Sequence, residues 1–215
     1  MNVFIVGANG QIGRHLVRLL HKHPDHTPVA MVRKEEQTAA FKEKGVEARL
    51  ADLEESVDQL AEAAKGCDAI VFTAGSGGKT GADKTLIIDL DGAAKCVEAA
   101  EKAGIQRFVI VSAIQAHRRE NWKEAIKHYF VAKHHADRVV MQSNLNYTIV
   151  RPGGLTNDPG TGKIKVAKDL ERATIPREDV AKTIVAALTE KSTFKRGFDL
   201  VSGDTPVEKA LKSLV

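Results

Sequence analysis

Short apolar runs, separated by longer amphipathic stretches, constrain this chain more than any single residue does. Val3-Phe4-Ile5-Val6 is a compact strand-like run, and the stretch after it places Ile12, Leu16, Leu19 and Leu20 at helical spacings of three and four. The alternation continues, with strand-like segments at 28–32, 47–50, 69–72, 108–111 and 147–150. Helix-like stretches fall near 35–44, 56–65, 83–103, 120–143 and 178–190, and a last strand at 198–201 precedes a short helix after Pro206. Strand alternating with helix predicts an α/β fold with a parallel sheet. Continuous apolar strands such as Ala69-Ile70-Val71-Phe72 predict burial on both faces, hence a doubly wound sheet covered by helices. No repeat or low-complexity linker interrupts this order, so one domain over 1–215 is expected. Segment 151–177 departs from the pattern. Rich in Gly, Pro, Thr and Lys, it reads as too irregular for core and, with 112–122, as a small substrate-side segment walling a pocket.

Gly7-Ala8-Asn9-Gly10-Gln11-Ile12-Gly13 follows the first strand directly and opens the first helix. A tight turn, a close approach of backbone to a pyrophosphate, and close helix–strand packing each need a missing Cβ. The helix N-terminus then offers unpaired N–H groups and its positive dipole end to phosphate. The turn therefore predicts a Rossmann fold that binds a dinucleotide through Gly7, Asn9, Gly10, Gln11, Ile12 and Gly13. Cofactor choice is read at the end of the second strand, where an NAD enzyme places an acid about 20 residues after the glycines. Here Val32-Arg33-Lys34 stands there, and a guanidinium pairs instead with a 2′-phosphate. Arg33 favours NADP, with Arg14 a further source of charge, while Glu35 and Glu36 keep NAD open. Gly78-Lys79-Thr80 resembles the end of a phosphate-binding P-loop, but Thr73 stands where that pattern needs its first glycine.

Composition narrows the partners. Lys and Arg exceed Asp and Glu by only 32 to 28, without clustering, and aromatics make up 5%, which argues against nucleic acid. No apolar run approaches the ~20 residues of a membrane helix, and no cationic leader precedes Val3, so a cytoplasmic protein is expected. Cys67 and Cys96 lack metal-type spacing and read as two buried thiols. His21, His23 and His26 fall in a polar helix end, and His134-His135 diverge on a helix, so no metal site is predicted.

Taken together, the residues resemble the short-chain dehydrogenase/reductase superfamily, in its atypical or extended branch. The likeness spans nearly the whole chain: the turn Gly7–Gly13, Asp52 after the third strand, Thr73-Ala74-Gly75 after the fourth, and Tyr129-Phe130-Val131-Ala132-Lys133 as the YxxxK motif. Arg151-Pro152-Gly153 and Arg177-Glu178-Asp179-Val180-Ala181 are similar to NmrA-like and to small bacterial sugar-epimerase-like members. The resemblance implies cofactor contacts at Asp52, Leu53, Ala74, Gly75 and Lys133, with Asp52 on the adenine amino group. A helix N-cap is the physical alternative for Asp52. It also implies proton exchange at Tyr129, aided by Lys133 and by a hydroxyl after the fifth strand. That hydroxyl is Ser112, although alignment on extended members puts the catalytic position at Ala113. Four residues apart, Tyr129 and Lys133 share a helix face, where the ammonium and a bound nicotinamide would favour phenolate. Arg151 and Asp179 are expected to pair across the pocket loop, and His117, Trp122 and His128 to wall the substrate.

The function expected is therefore an NADP-dependent oxidoreductase or epimerase-like enzyme acting on a small hydroxyl or carbonyl compound, as a monomer or homodimer. A non-catalytic redox sensor of the NmrA-like kind is the alternative, supported by Ala113. A reductase of flavins or tetrapyrrole-like compounds is a third reading.

Overall fold

The computed structural model describes residues 1–78 and 80–214, so Lys79 of the P-loop-like tripeptide lies outside the described residues. Six parallel strands build most of the main sheet: β1 (Asn2–Val6), β2 (Thr27–Val32), β3 (Glu47–Leu50), β4 (Ala69–Phe72), β5 (Arg107–Val111) and β6 (Asn146–Pro152). Their order across the sheet is β3-β2-β1-β4-β5-β6, with Val3 beside Pro28 on one side and Ala69 on the other. This is the doubly wound Rossmann order, whose connections diverge between β1 and β4. Helices α1 (Gln11–His21), α2 (Glu35–Lys42) and α3 (Val57–Ala64) link the first four strands.

Alternation along each strand sets the two layers. Val3 and Ile5 enter one core with Leu16 and Leu20 of α1, while Phe4 and Val6 enter the other with Leu60 of α3. Both cores are fully enclosed, which explains why these strands read as unbroken apolar runs.

Three departures from the sequence reading matter for the site. The helix expected over 83–103 is a short α4 (Ala82–Lys84), a π-helical stretch Thr85–Asp91, and α5 (Gly92–Lys102). The helix expected from 120 begins only at Lys127, as α6 (Lys127–Gln142), after two short 3-10 turns. Segment 151–177 is not irregular. It forms β7 (Gly154–Thr156), β8 (Lys163–Ala167) and β9 (Thr174–Pro176), and Ile164 and Ile175 are wholly buried. The strand β7 pairs with β9 in a small parallel sheet that leads into α7 (Arg177–Ala187). The late strand β10 (Arg196–Ser202) extends the main sheet beside β6, and β8 pairs with it antiparallel. Finally β11 (Thr205–Pro206) pairs with β8, and α8 (Val207–Lys212) follows. Among the described residues, no helix is long and apolar enough to cross a membrane.

Candidate functional site

A cleft of about 1100 Å³ opens where the carboxyl ends of β1 and β4 lie side by side. Its floor is the glycine turn. Gly7 has φ +87°, and a Cβ there would stand 2.7 Å from the backbone nitrogen of Ala74, so only glycine lets the turn pass β4. A Cβ on Gly13 would overlap Gly7 O and lie 2.8 Å from Ala8 Cα, so this residue seats α1 against the turn. Gly13 packs behind the cleft, whereas Gly7, Asn9, Gly10, Gln11 and Ile12 line it. The first turn of α1 carries no acid to oppose an anion at its N-terminus. Arg14, expected as free charge, instead donates to Asn9 Oδ1 at 2.9 and 3.2 Å and fixes that amide over the turn.

At one end of the cleft Arg33 follows β2. It is exposed, its N–H bonds to Gln37 Oε1 at 3.0 Å, and its guanidinium makes no ion pair among the described residues. Asp52 and Leu53 line the same end. The capping alternative for Asp52 does not hold. Ser56 caps α3 in a reciprocal box with Gln59, while Asp52 Oδ1 accepts from Glu54 N at 3.1 Å.

At the other end Ser112, Tyr129 and Lys133 line the cleft together, and Ala74 and Gly75 lie between. Ser112 is 3% exposed and its Oγ has no hydrogen-bond partner among the described residues. A buried hydroxyl left unpaired is costly unless something in the cleft completes it. Ala113, the family's catalytic position by alignment, packs instead with Ala116 and Phe130 and does not line the cleft.

Lys133 is nearly enclosed. Its Nζ donates to Val111 O at 3.1 Å and pairs with Asp89 Oδ1 at 3.2 Å, while Asp89 Oδ2 accepts from Ser76 N at 2.9 Å. Asp89 was not anticipated, because the π-helical stretch that places it has no simple sequence signature. One signal was present: a lone acid inside Leu86-Ile87-Ile88-Asp89-Leu90 needs a buried partner. Burial pushes the Tyr129 phenol above its ordinary value of 10.0; Lys133 pulls it down, and Asp89 and Asp137 push it up again. The net direction is upward. The lysine by itself does not yield the phenolate anticipated from the sequence, because burial, reinforced by Asp89 and Asp137, outweighs its pull. Burial opposes the charge of Lys133, but Tyr129 and Asp89 outweigh it and hold the ammonium above its ordinary value.

Other expected partners separate. Arg151 pairs with Asp137 at 2.8 Å, not with Asp179, which accepts from Thr161 N and Gly162 N at 2.8 and 2.9 Å. His117 bonds Asp169 at 2.7 Å and Trp122 stacks near Phe130; neither lines the cleft, whereas the exposed His128 does. From 151–177 the lining residues are Leu155 and Arg177, and Ile126 also lines the cleft. Both cysteines are buried, and among the described residues no group of three His, Cys, Asp or Glu is placed to hold a metal.

A family model described as NAD(P)H-binding matches residues 7–191. The chain is 63% identical to a Bacillus subtilis protein named as an uncharacterized sugar epimerase, over the full length of both. Among solved structures, a Bacillus halodurans protein named as an NAD-dependent epimerase/dehydratase is 43% identical, with 99% of each chain covered and a TM-score of 0.91. An oxidoreductase of Lactococcus lactis is 35% identical with the same TM-score, covering 100% of this chain and 96% of that one.

Proposed function

This chain belongs to the NAD(P)H-binding family, and on that premise we propose that it is an NADP-dependent oxidoreductase reducing a small carbonyl compound through Tyr129, Lys133 and Ser112. The observation that carries the reading is the unpartnered Oγ of Ser112, buried in the same cleft as the Tyr129–Lys133 pair and the glycine turn. The bare turn at Gly7, the N-terminus of α1 and the unpaired Arg33 suit a phosphorylated dinucleotide. The cofactor would supply the hydride.

The chain's own residues would then handle the oxygen. Ser112 Oγ donates to a substrate carbonyl oxygen, which polarises the carbon and orients it. Tyr129 is held protonated by burial and by the balance of Lys133 with Asp89, so its hydroxyl gives a proton to the oxygen as charge develops there. Lys133, fixed by Asp89 and Val111 O, keeps a positive charge below that phenol. Reduction is the favoured direction because the tyrosine starts as an acid. An epimerase-like cycle, suggested by the name of the Bacillus subtilis relative, would need the same tyrosine to act first as a base.

Consumption of NADPH against a panel of aldehydes and ketones tests this. Tyr129→Phe should lower kcat/KM by about 10²–10⁴-fold while NADPH still binds. Unchanged turnover of a substrate by Tyr129→Phe would remove the tyrosine mechanism, whereas cofactor binding with no turnover of any carbonyl would favour a sensor role.

A further inference from the structure

Arg177 lines the cleft and has no part in the proposed chemistry; Lys84, another cation described there, is already paired with Glu54. Arg177 opens α7 immediately after β9, and the β7–β9 pairing, Thr156 beside Pro176, ties its backbone to the strand that carries Leu155. Two acids follow it in sequence, yet both are engaged elsewhere. Glu178 pairs with Arg18 at 3.0 Å and accepts from Gly160 N at 3.1 Å. Asp179 is wholly buried and holds the 161–162 turn and Lys182. What remains for Arg177 is a neutral partner: Nη1 donates to Asn157 Oδ1 at 2.9 Å. Among the described residues its guanidinium meets no carboxylate, so a half-buried cation faces the cleft with most of its donors free.

Two apolar residues that line the same cleft are left uncovered. Leu155 is 36% exposed and Ile126 41% exposed, and both line the cleft with Arg177 and Tyr129. From this juxtaposition we infer that Arg177 is a specificity-determining residue, and that the substrate is a carbonyl compound with an apolar body and a carboxylate. The body rests on Leu155 and Ile126, and the carboxylate takes the free edge of the guanidinium. Asn157 holds that guanidinium before binding, so little side-chain freedom is lost on docking. A planar carboxylate matches the fork of donors better than a neutral ester, which offers one carbonyl and no charge. The inference rests on the cleft being the substrate site proposed above.

The test pairs each acid with its methyl ester: 4-formylbenzoate and phenylglyoxylate against their esters, titrated calorimetrically with and without saturating NADP. The oxidised cofactor prevents turnover during the titration. The acids are expected to bind at least about tenfold more tightly than the esters, with Arg177→Gln abolishing the difference and Arg177→Lys keeping part of it. NADP affinity of Arg177→Gln should stay within about twofold of the parent. Acids that bind no better than esters, including no binding by either, overturn the inference. So does a Gln variant whose NADP affinity falls as far as its acid affinity, since the guanidinium would then serve a cofactor phosphate. The two readings fail separately. Reduction of neutral carbonyls without acid preference sinks this inference alone; acid preference through Arg177 without NADPH consumption sinks the proposed reaction alone.

Discussion

Replacing Asp89 with Asn probes how a buried pair governs Tyr129. Asn is almost isosteric, and its side-chain oxygen can still accept from Ser76 N, a bond of 2.9 Å in the parent, so the packing survives. The charge opposite Lys133 is lost, at 3.2 Å and between side chains only 4% and 2% exposed. Breaking such a pair from one side costs about 3–5 kcal/mol, because the remaining ion is buried without compensation. Val111 O still accepts from the ammonium, which places the expectation near the lower end, about 3 kcal/mol. For a chain of this length that corresponds to roughly 6–12 °C in Tm. Circular dichroism melts at neutral pH read the loss directly. A second signature separates charge from packing. Without the carboxylate that pushes the phenol up, the tyrosinate absorbance of Tyr129 should appear at lower pH, and Tyr147 is the chain's only other tyrosine. A Tm change under about 2 °C together with an unshifted tyrosine titration would refute the argument that Asp89 balances Lys133.

Two further perturbations follow from particular contacts. Ser112→Ala removes a buried hydroxyl with no partner among the described residues, so stability should hold or rise rather than fall. Turnover should fall about 10²-fold, and the reverse pattern would make the hydroxyl structural. Glu178 is held below its ordinary value of 4.5, first by Gly160 N–H and then by Arg18. A carboxylate depressed in this way stabilises the fold above its ordinary value and loses that contribution as pH falls through the lower, folded one. The stability gap between the parent and Glu178→Gln should therefore be constant near neutrality and shrink below pH 4.5, as followed by urea denaturation. A gap that persists to about pH 3 would contradict this.

The positions of β1, β2, β4, β5 and β6 were legible because each is a short apolar run buried on both faces, a pattern that needs only local sequence; β3 is a partly exposed edge strand, and the order across the sheet is not carried by local sequence. Gly7 and Gly13 were legible for a similar reason, since backbone contact at a strand–helix turn admits no other residue. The site's second half was less so. Ser112 and Ala113 are adjacent, and only the path of the chain after β5 decides that Ser112 lines the cleft and Ala113 packs on Phe130. Asp89 and Lys133 meet through a π-helical stretch and a helix far along the chain, a contact that spacing cannot show. In segment 151–177 the alternation Lys163-Ile164-Lys165-Val166 does carry the period of two of a half-exposed strand, but glycines and prolines around it masked the signal. The Arg151–Asp179 pairing was wrong because Asp137, on α6, competes for Arg151 from another layer.

The most direct test of the account is calorimetric titration of the protein with NADP, NADPH, NAD and NADH, repeated on Arg33→Ala. All four should bind, with the phosphorylated pair at least about tenfold tighter and that margin lost when Arg33 is removed. Equal affinity for NAD and NADP would leave Arg33 a surface residue, and absence of binding by any of the four would contradict the assignment of the cleft itself.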